Sequence, residues 1–105
     1  MNIKQRHASL FQALAHPVRL QILEILSQGP SCVCDLAALT GKRQPYISQH
    51  LSNLRNAGLV TAERQGWSIF YHLNDPKLSE LEQIISTLLL SARNTYSAVE
   101  RLNAR

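Results

Sequence analysis

Every glycine and proline in this chain falls at the edge of an apolar-periodic segment, so the breakers cut the sequence into a short series of compact elements. Proline fixes φ and lacks an N–H, which suits the start of a helix and not its interior. Pro17, Pro45 and Pro76 each open such a segment, and Pro30 precedes another. Gly29, Gly41 and Gly58 each close one, where a left-handed residue is needed. Gly66 lies in a short polar turn between two strand-like runs.

The apolar spacing between breakers predicts what each segment becomes. A first helix covers residues 3–14, with Ile3, Leu10, Phe11 and Leu14 apolar. A second covers 17–28 and places Val18, Ile22, Ile25 and Leu26 on one face. A third covers 32–39 and packs Val33, Leu36 and Leu39. A fourth covers 44–57, with Ile47, Leu51 and Leu54 inward. The period then drops to two: Trp67, Ile69, Tyr71 and Leu73 alternate with Ser68, Phe70 and His72. With residues 60–63 this run predicts a two-stranded hairpin. A last helix covers about 76–102, with Leu78, Leu81, Ile85, Leu88, Ala92, Val99 and Leu102 in a seam that Thr95 interrupts and Leu89 and Leu90 widen. That seam exceeds what a small core needs, which predicts a homodimer.

The expected fold class is mainly α with a small β-hairpin: a winged helix-turn-helix, dimerised through its N- and C-terminal helices. A chain of 105 residues fits one domain, 1–105. Within it the helix-turn-helix occupies about 32–57, the wing about 60–73 and the dimerisation helix about 76–102.

A net charge of +4 agrees with a nucleic-acid partner. Thr40-Gly41-Lys42-Arg43 forms a short glycine-containing turn between two helices, as in a helix-turn-helix. The polar face of the fourth helix has many hydrogen-bonding groups and no acid. Gln44, Tyr46, Ser48, Gln49 and His50 are the expected base readers, because residues near the N-terminus of such a helix enter the groove. Lys42, Arg43, Arg55 and, on the wing, Arg64 are the expected phosphate clamps. The partner is then double-stranded operator DNA. A protein-interaction module would carry a neutral or acidic face here.

Cys32 and Cys34 are the only cysteines. The N-terminus has no signal-peptide pattern and no run is apolar enough to span a bilayer, which predicts a cytoplasmic protein with no membrane partner. A structural disulfide is not expected there, so the pair reads as free thiols, metal ligands or redox groups. No histidine has a second ligand at zinc-site spacing, and two sulfurs alone leave a tetrahedral zinc site incomplete. No structural cofactor is expected. Nor is an enzyme: the chain has no nucleophile elbow, P-loop or dinucleotide fingerprint.

Several stretches together resemble the ArsR/SmtB family of bacterial winged-helix repressors. They are Leu14-Ala15-His16-Pro17-Val18-Arg19-Leu20-Gln21-Ile22-Leu23, Cys32-Val33-Cys34-Asp35-Leu36, Gln44-Pro45-Tyr46-Ile47-Ser48-Gln49-His50-Leu51, Leu54-Arg55-Asn56-Ala57-Gly58-Leu59-Val60 and Tyr71-His72-Leu73. The cysteine piece is similar to that of the family's arsenic-, antimony- and cadmium/lead-responsive branches, its ArsR-like side. The resemblance implies a homodimeric repressor released from its operator by an inducer. It also implies that Cys32 and Cys34 bind a thiophilic ion, As(III) or Sb(III) first. The chain departs from the family where arsenite-responsive members often add a third cysteine: Ala37 stands there. It also lacks the family's metal site on the last helix, since the stretch from Asp75 onward contains no histidine.

Residues i and i+2 of a helix point about 200° apart. Gripping one ion with both sulfurs therefore requires Cys32 to lie outside the helix, or the first turn to unwind. Unwinding would tilt the reading helix off the groove. A thiol redox or persulfide trigger is the alternative, and a pair without any inducer role is a third reading.

Overall fold

The computed structural model describes residues 1–103. The element order is α1 (Ile3–Leu14), α2 (Pro17–Leu26), α3 (Val33–Thr40), α4 (Gln44–Asn56), β1 (Val60–Gln65), β2 (Ser68–Leu73) and α5 (Asp75–Asn103). The chain divides into two units, Met1–Asp75 and the stretch from Pro76 onward.

In the first unit, local chemistry sets each helix end. Asn2 and Gln5 form a reciprocal capping box at α1: Asn2 Oδ1 accepts from the Gln5 N–H at 2.8 Å, and Gln5 Oε1 from the Asn2 N–H at 2.9 Å. Pro17 opens α2 behind an extended His16. Gly41 closes α3 with φ +71°, a left-handed position that a β-carbon would strain. Helix α4 starts three residues after it.

The core lies where α2, α3, α4 and the foot of the wing meet. Ile22, Leu36, Ile47, Leu51, Leu54, Leu59 and Val60 are its fully buried side chains. The wing is an antiparallel pair in register from Val60↔Leu73 to Gln65↔Ser68. Asn74 ties its foot, donating from its backbone N–H to Leu59 O (2.9 Å) and from Nδ2 to Gly58 O (2.7 Å). A third piece of chain joins the sheet: Tyr71 N–H donates to Ser31 O (2.8 Å) and Ser31 N–H to Tyr71 O (3.2 Å). The residue before Cys32 is thereby pinned to the wing.

Four expectations shift. Helix α2 stops at Leu26 and not at 28, because a turn led by Ser27 follows and Gly29 adopts a positive φ. Helix α3 starts at Val33, leaving Cys32 as its N-cap. Leu39, expected to pack, points to solvent and Ile25 is half-buried. Trp67 belongs to the turn after Gly66 and not to β2, so the two-residue alternation starts at Ser68.

The second unit is helical through Asn103. Ile85, Leu88, Leu89, Tyr96, Val99 and Leu102 are exposed along it. The interruption at Thr95 is accommodated locally: its hydroxyl donates back to Ser91 O at 3.0 Å. Among the described residues no helix is long and apolar enough to cross a membrane.

Candidate DNA interface and dithiol site

Helix α4 sorts its residues by the 3.6-residue period. Ile47, His50, Leu51 and Leu54 form the buried stripe. Gln44, Tyr46, Ser48, Gln49 and Arg55 are exposed on the remaining surface, and Lys42 and Arg43 are exposed in the turn ahead of it. No acidic residue occurs between Asp35 and Glu63, so nothing in this stretch repels a phosphate. Arg43 is the N-cap of α4 and makes no side-chain capping bond. The first N–H groups of α4 and the positive end of its dipole are therefore available to an anion. Arg64 is exposed on β1, opposite Ile69.

His50 departs from its expected place among the base readers. It is 9% exposed and turned inward, because position 50 falls three residues after Ile47 and one before Leu51 on the buried stripe. Its Nδ1 accepts from Arg19 Nε at 2.9 Å. A guanidinium has only donors, so this bond requires a neutral imidazole with its proton on Nε2. Tyr46 packs edge-on against the same ring, with centroids 4.5 Å apart, and His16 lies 5.6 Å away.

The sequence reading gave Arg19 no role of its own, only a place in the Leu14–Leu23 stretch. It is as buried as His50, and its Nη1 also donates to Ala13 O at 3.1 Å. One guanidinium thus connects the end of α1, the start of α2 and the middle of α4. The available signal was a cation inside the apolar stretch 17–26, one step from Val18.

Burial lowers the pKa of His50 below its ordinary value, and the charge of Arg19 and the neighbouring His16 push it the same way. The folded state therefore favours the neutral ring. Below the unfolded value of about 6.5 the unfolded chain binds more protons, so this contribution is complete above that pH and is lost as pH falls through it. Urea midpoints at pH 7.5 and 5.5 should differ more for the natural protein than for His50→Gln, whose amide oxygen can still accept from Arg19. Equal differences would contradict the role given to His50.

The dithiol site is built on the N-terminus of α3. Cys32 has φ −83° and ψ 167°, extended backbone outside the helix, and its Sγ accepts from the Asp35 N–H at 3.3 Å. Cys34 is exposed in the first turn. Because Cys32 does not follow the helical step, the pair converges instead of diverging. The Cα atoms are 5.4 Å apart, and the sulfurs are joined as a disulfide. Of the two ways expected for the sulfurs to meet, this is the first, Cys32 outside the helix, so the first helical turn need not unwind; only the expectation that a structural disulfide would be absent differs. Donor atoms of Cys32, Cys34 and Asp35 all lie within 4.8 Å of one another.

Two routes lead away from this site. Ser31, the preceding residue, is held to Tyr71 of the wing. Cys32 O accepts from the Leu36 N–H at 3.1 Å, and Leu36 is a fully buried side chain of the core that also contains Ile47 and Leu51 of α4.

Residues 16–62 match the bacterial regulatory protein family arsR. Over 74 residues the chain is 49% identical to the HTH-type transcriptional regulator NmtR of Mycobacterium tuberculosis, covering 70% of this chain and 62% of that protein's length. It is 37% identical over 78 residues to the arsenical resistance operon repressor of Bacillus subtilis, covering 73% of this chain and 74% of the relative. A solution structure of a homodimeric winged helix-turn-helix DNA-binding domain from Mycobacterium bovis aligns with a TM-score of 0.69 at 31% identity, over 83% of this chain and 81% of that one. On its sequence matches and its fold, this chain belongs to the ArsR/SmtB family of winged helix-turn-helix transcriptional repressors.

Proposed function

We propose that the protein is a homodimeric operator-binding repressor whose Cys32/Cys34 pair senses a thiophilic ion, arsenite or antimonite first. The observation that carries this reading is the convergence of both sulfurs at the N-cap of α3, next to a strand of the wing. In the reduced protein two thiolates and the Asp35 carboxylate form a soft-dominated donor set, suited to a trivalent ion with three ligands and ill-suited to Ca²⁺ or Mg²⁺. Water, hydroxide or a small thiol is the other source of a third ligand, since Ala37 supplies none. The arsenical resistance role of the Bacillus subtilis relative supports the same ion class.

The geometry gives the reading a mechanism. An ion held by both sulfurs draws on the Cys32 sulfur that caps α3, and it moves the segment that Ser31 anchors to Tyr71. The disturbance reaches α4 through Leu36 and reaches the wing through Ser31. Gln44, Tyr46, Ser48 and Gln49 are the proposed base readers, and Lys42, Arg43, Arg55 and Arg64 the proposed phosphate clamps. His50 now has a positioning role beneath them. The exposed apolar strip of α5 supports dimerisation.

The joined sulfurs favour one second reading, oxidative release. Two thiols forming a disulfide give up two protons and two electrons, which hydrogen peroxide would accept to form two waters. Operator gel shifts with the reduced protein separate the readings. Arsenite or antimonite should release DNA under anaerobic conditions, and cadmium and zinc should act more weakly. Release by peroxide alone, reversed by dithiothreitol, would replace the ion reading with the redox one.

A further inference from the structure

Arg19 is only 9% exposed, and its charge has no counterion within the fold. Its Nε donates to neutral His50 and its Nη1 to Ala13 O, and neither acceptor is an anion. No carboxylate pairs with it among the ion pairs of the described residues. The first acid of the chain is Glu24, near the other end of α2, and α1 and α4 contain none. A buried charge without a counterion is costly to hold. A guanidinium has five N–H groups, and the fold uses two of them. Those of Nη2 have no acceptor among the described residues and are not enclosed. Arg19 lines an open cleft of about 440 Å³ between α1, the start of α2 and the second half of α4. Ser9, Gln12, His16, Asn53 and Asn56 line it too, so its walls offer hydrogen-bonding groups and no negative charge.

We propose that this cleft binds a small hydroxy carboxylate, with the Arg19 guanidinium as its counter-charge. The site is separate from the Cys32/Cys34 pair and stands apart from the operator-binding reading. The planar fork of a guanidinium matches the two oxygens of a carboxylate. One fixed cation suits a monoanion, whereas a phosphate dianion would leave net negative charge among neutral amides. The carboxamides of Asn53 and Asn56 both donate and accept, which suits a hydroxyl beside the carboxylate. The apolar part of the lining is the methyl groups of Ala13 and Ala57, too small a surface to hold a long alkyl chain. The ligand takes N–H groups that the fold leaves over, and the Nε bond to His50 stays in place. Binding therefore ties α1, α2 and α4 more firmly together.

The test uses the full chain, reduced, with lactate as the probe and ionic strength held constant with chloride. The side-chain N–H signals of Arg19, Asn53 and Asn56 in NMR spectra should shift saturably. Two charge-assisted bonds support a dissociation constant of about 1 mM or tighter. The melting temperature should rise with lactate concentration, as binding to the folded state requires. Acetate, which lacks the hydroxyl, should bind more weakly. Asn53→Asp sets a carboxylate in the cleft, where it repels the probe and competes for Arg19, so it should weaken lactate binding at least about tenfold. If that variant fails to fold, Asn56→Asp takes its place. Shifts that chloride alone reproduces would overturn the proposal, and so would lactate binding that the aspartate variant leaves unchanged. Saturable binding of inorganic phosphate or sulfate without binding of lactate would overturn the ligand class. An Arg19 signal that moves with protein concentration in the absence of lactate would also overturn the proposal, assigning the cleft to an acidic side chain of a second copy of the chain.

Discussion

Truncating Leu51 to alanine should lower the unfolding free energy by about 3 kcal/mol, within the roughly 2–5 kcal/mol range for a fully enclosed leucine. Leu51 is completely buried in the middle of α4, next to the position of His50 in the inward stripe. The deletion removes transfer energy and leaves a cavity that neighbours in a close-packed core fill only in part. Leu39→Ala is the control: that side chain is 64% exposed and its loss should cost no more than about 0.5 kcal/mol. Urea unfolding at one fixed protein concentration measures both, since the stability of the proposed dimer would depend on concentration. Similar midpoints for the two variants would contradict the placement of α4 in the core.

The second large effect falls on DNA binding. Lys42→Ala with Arg43→Ala should weaken operator binding about a hundredfold at moderate salt, with stability nearly unchanged. Both residues are exposed in the turn before α4 and neither has a carboxylate partner among the ion pairs of the described residues. A charge-assisted bond to phosphate contributes roughly 1.5–3 kcal/mol, so the two lost by one protomer already account for a hundredfold, and the four lost by a dimer make that factor a lower bound. The salt dependence carries the sharper signature. Each lost contact removes about one unit from the slope of log K against log salt, so a dimer should lose about four. Ser48→Ala and Gln49→Ala should leave the slope alone and change which bases are preferred. A double variant with the natural slope would place the phosphate contacts elsewhere.

The helical part of the fold was legible because its signals are local. Breakers, caps and a 3–4 apolar spacing act within one or two turns, and α1 and the start of α4 match the sequence reading to the residue. What escaped depends on neighbours distant in sequence, or on residues whose type disguises their role. His50 has the spacing of the core stripe, but a polar side chain is read as surface unless its partner is visible. That partner, Arg19, is 31 residues away. Cys32 was read as the first helical residue because serine, threonine, asparagine and aspartate are the familiar caps. Yet Cys32-x-x-Asp35 has capping-box spacing with sulfur in place of a hydroxyl, and the Asp35 N–H does bond that sulfur. The bridge from Ser31 to Tyr71 spans 40 residues' separation and leaves no mark in either segment. Trp67 continued the alternation of β2 by one residue, although the preceding Gly66 already marked the turn.

These corrections move the proposed switch. Of the two routes to a shared ion, Cys32 outside the helix or an unwound first turn of α3, the fold takes the first. A cysteine at the N-cap brings the sulfurs together within the folded helix, and the same segment is bonded to the wing. Induction then needs only a shift of the cap and of the Ser31–Tyr71 bridge, both coupled to elements that carry proposed DNA contacts. Thermodynamic linkage makes the coupling mutual: an ion that weakens DNA binding must itself bind more weakly to the DNA complex, by the same factor.

Operator affinity of the reduced protein, measured by fluorescence anisotropy with and without arsenite, tests this coupling most directly when it is repeated on the Cys32→Ser, Cys34→Ser double variant. The account predicts that arsenite weakens the natural protein's binding at least about tenfold, and that the double variant binds the operator with natural affinity and ignores arsenite. Arsenite release that survives both substitutions would contradict it.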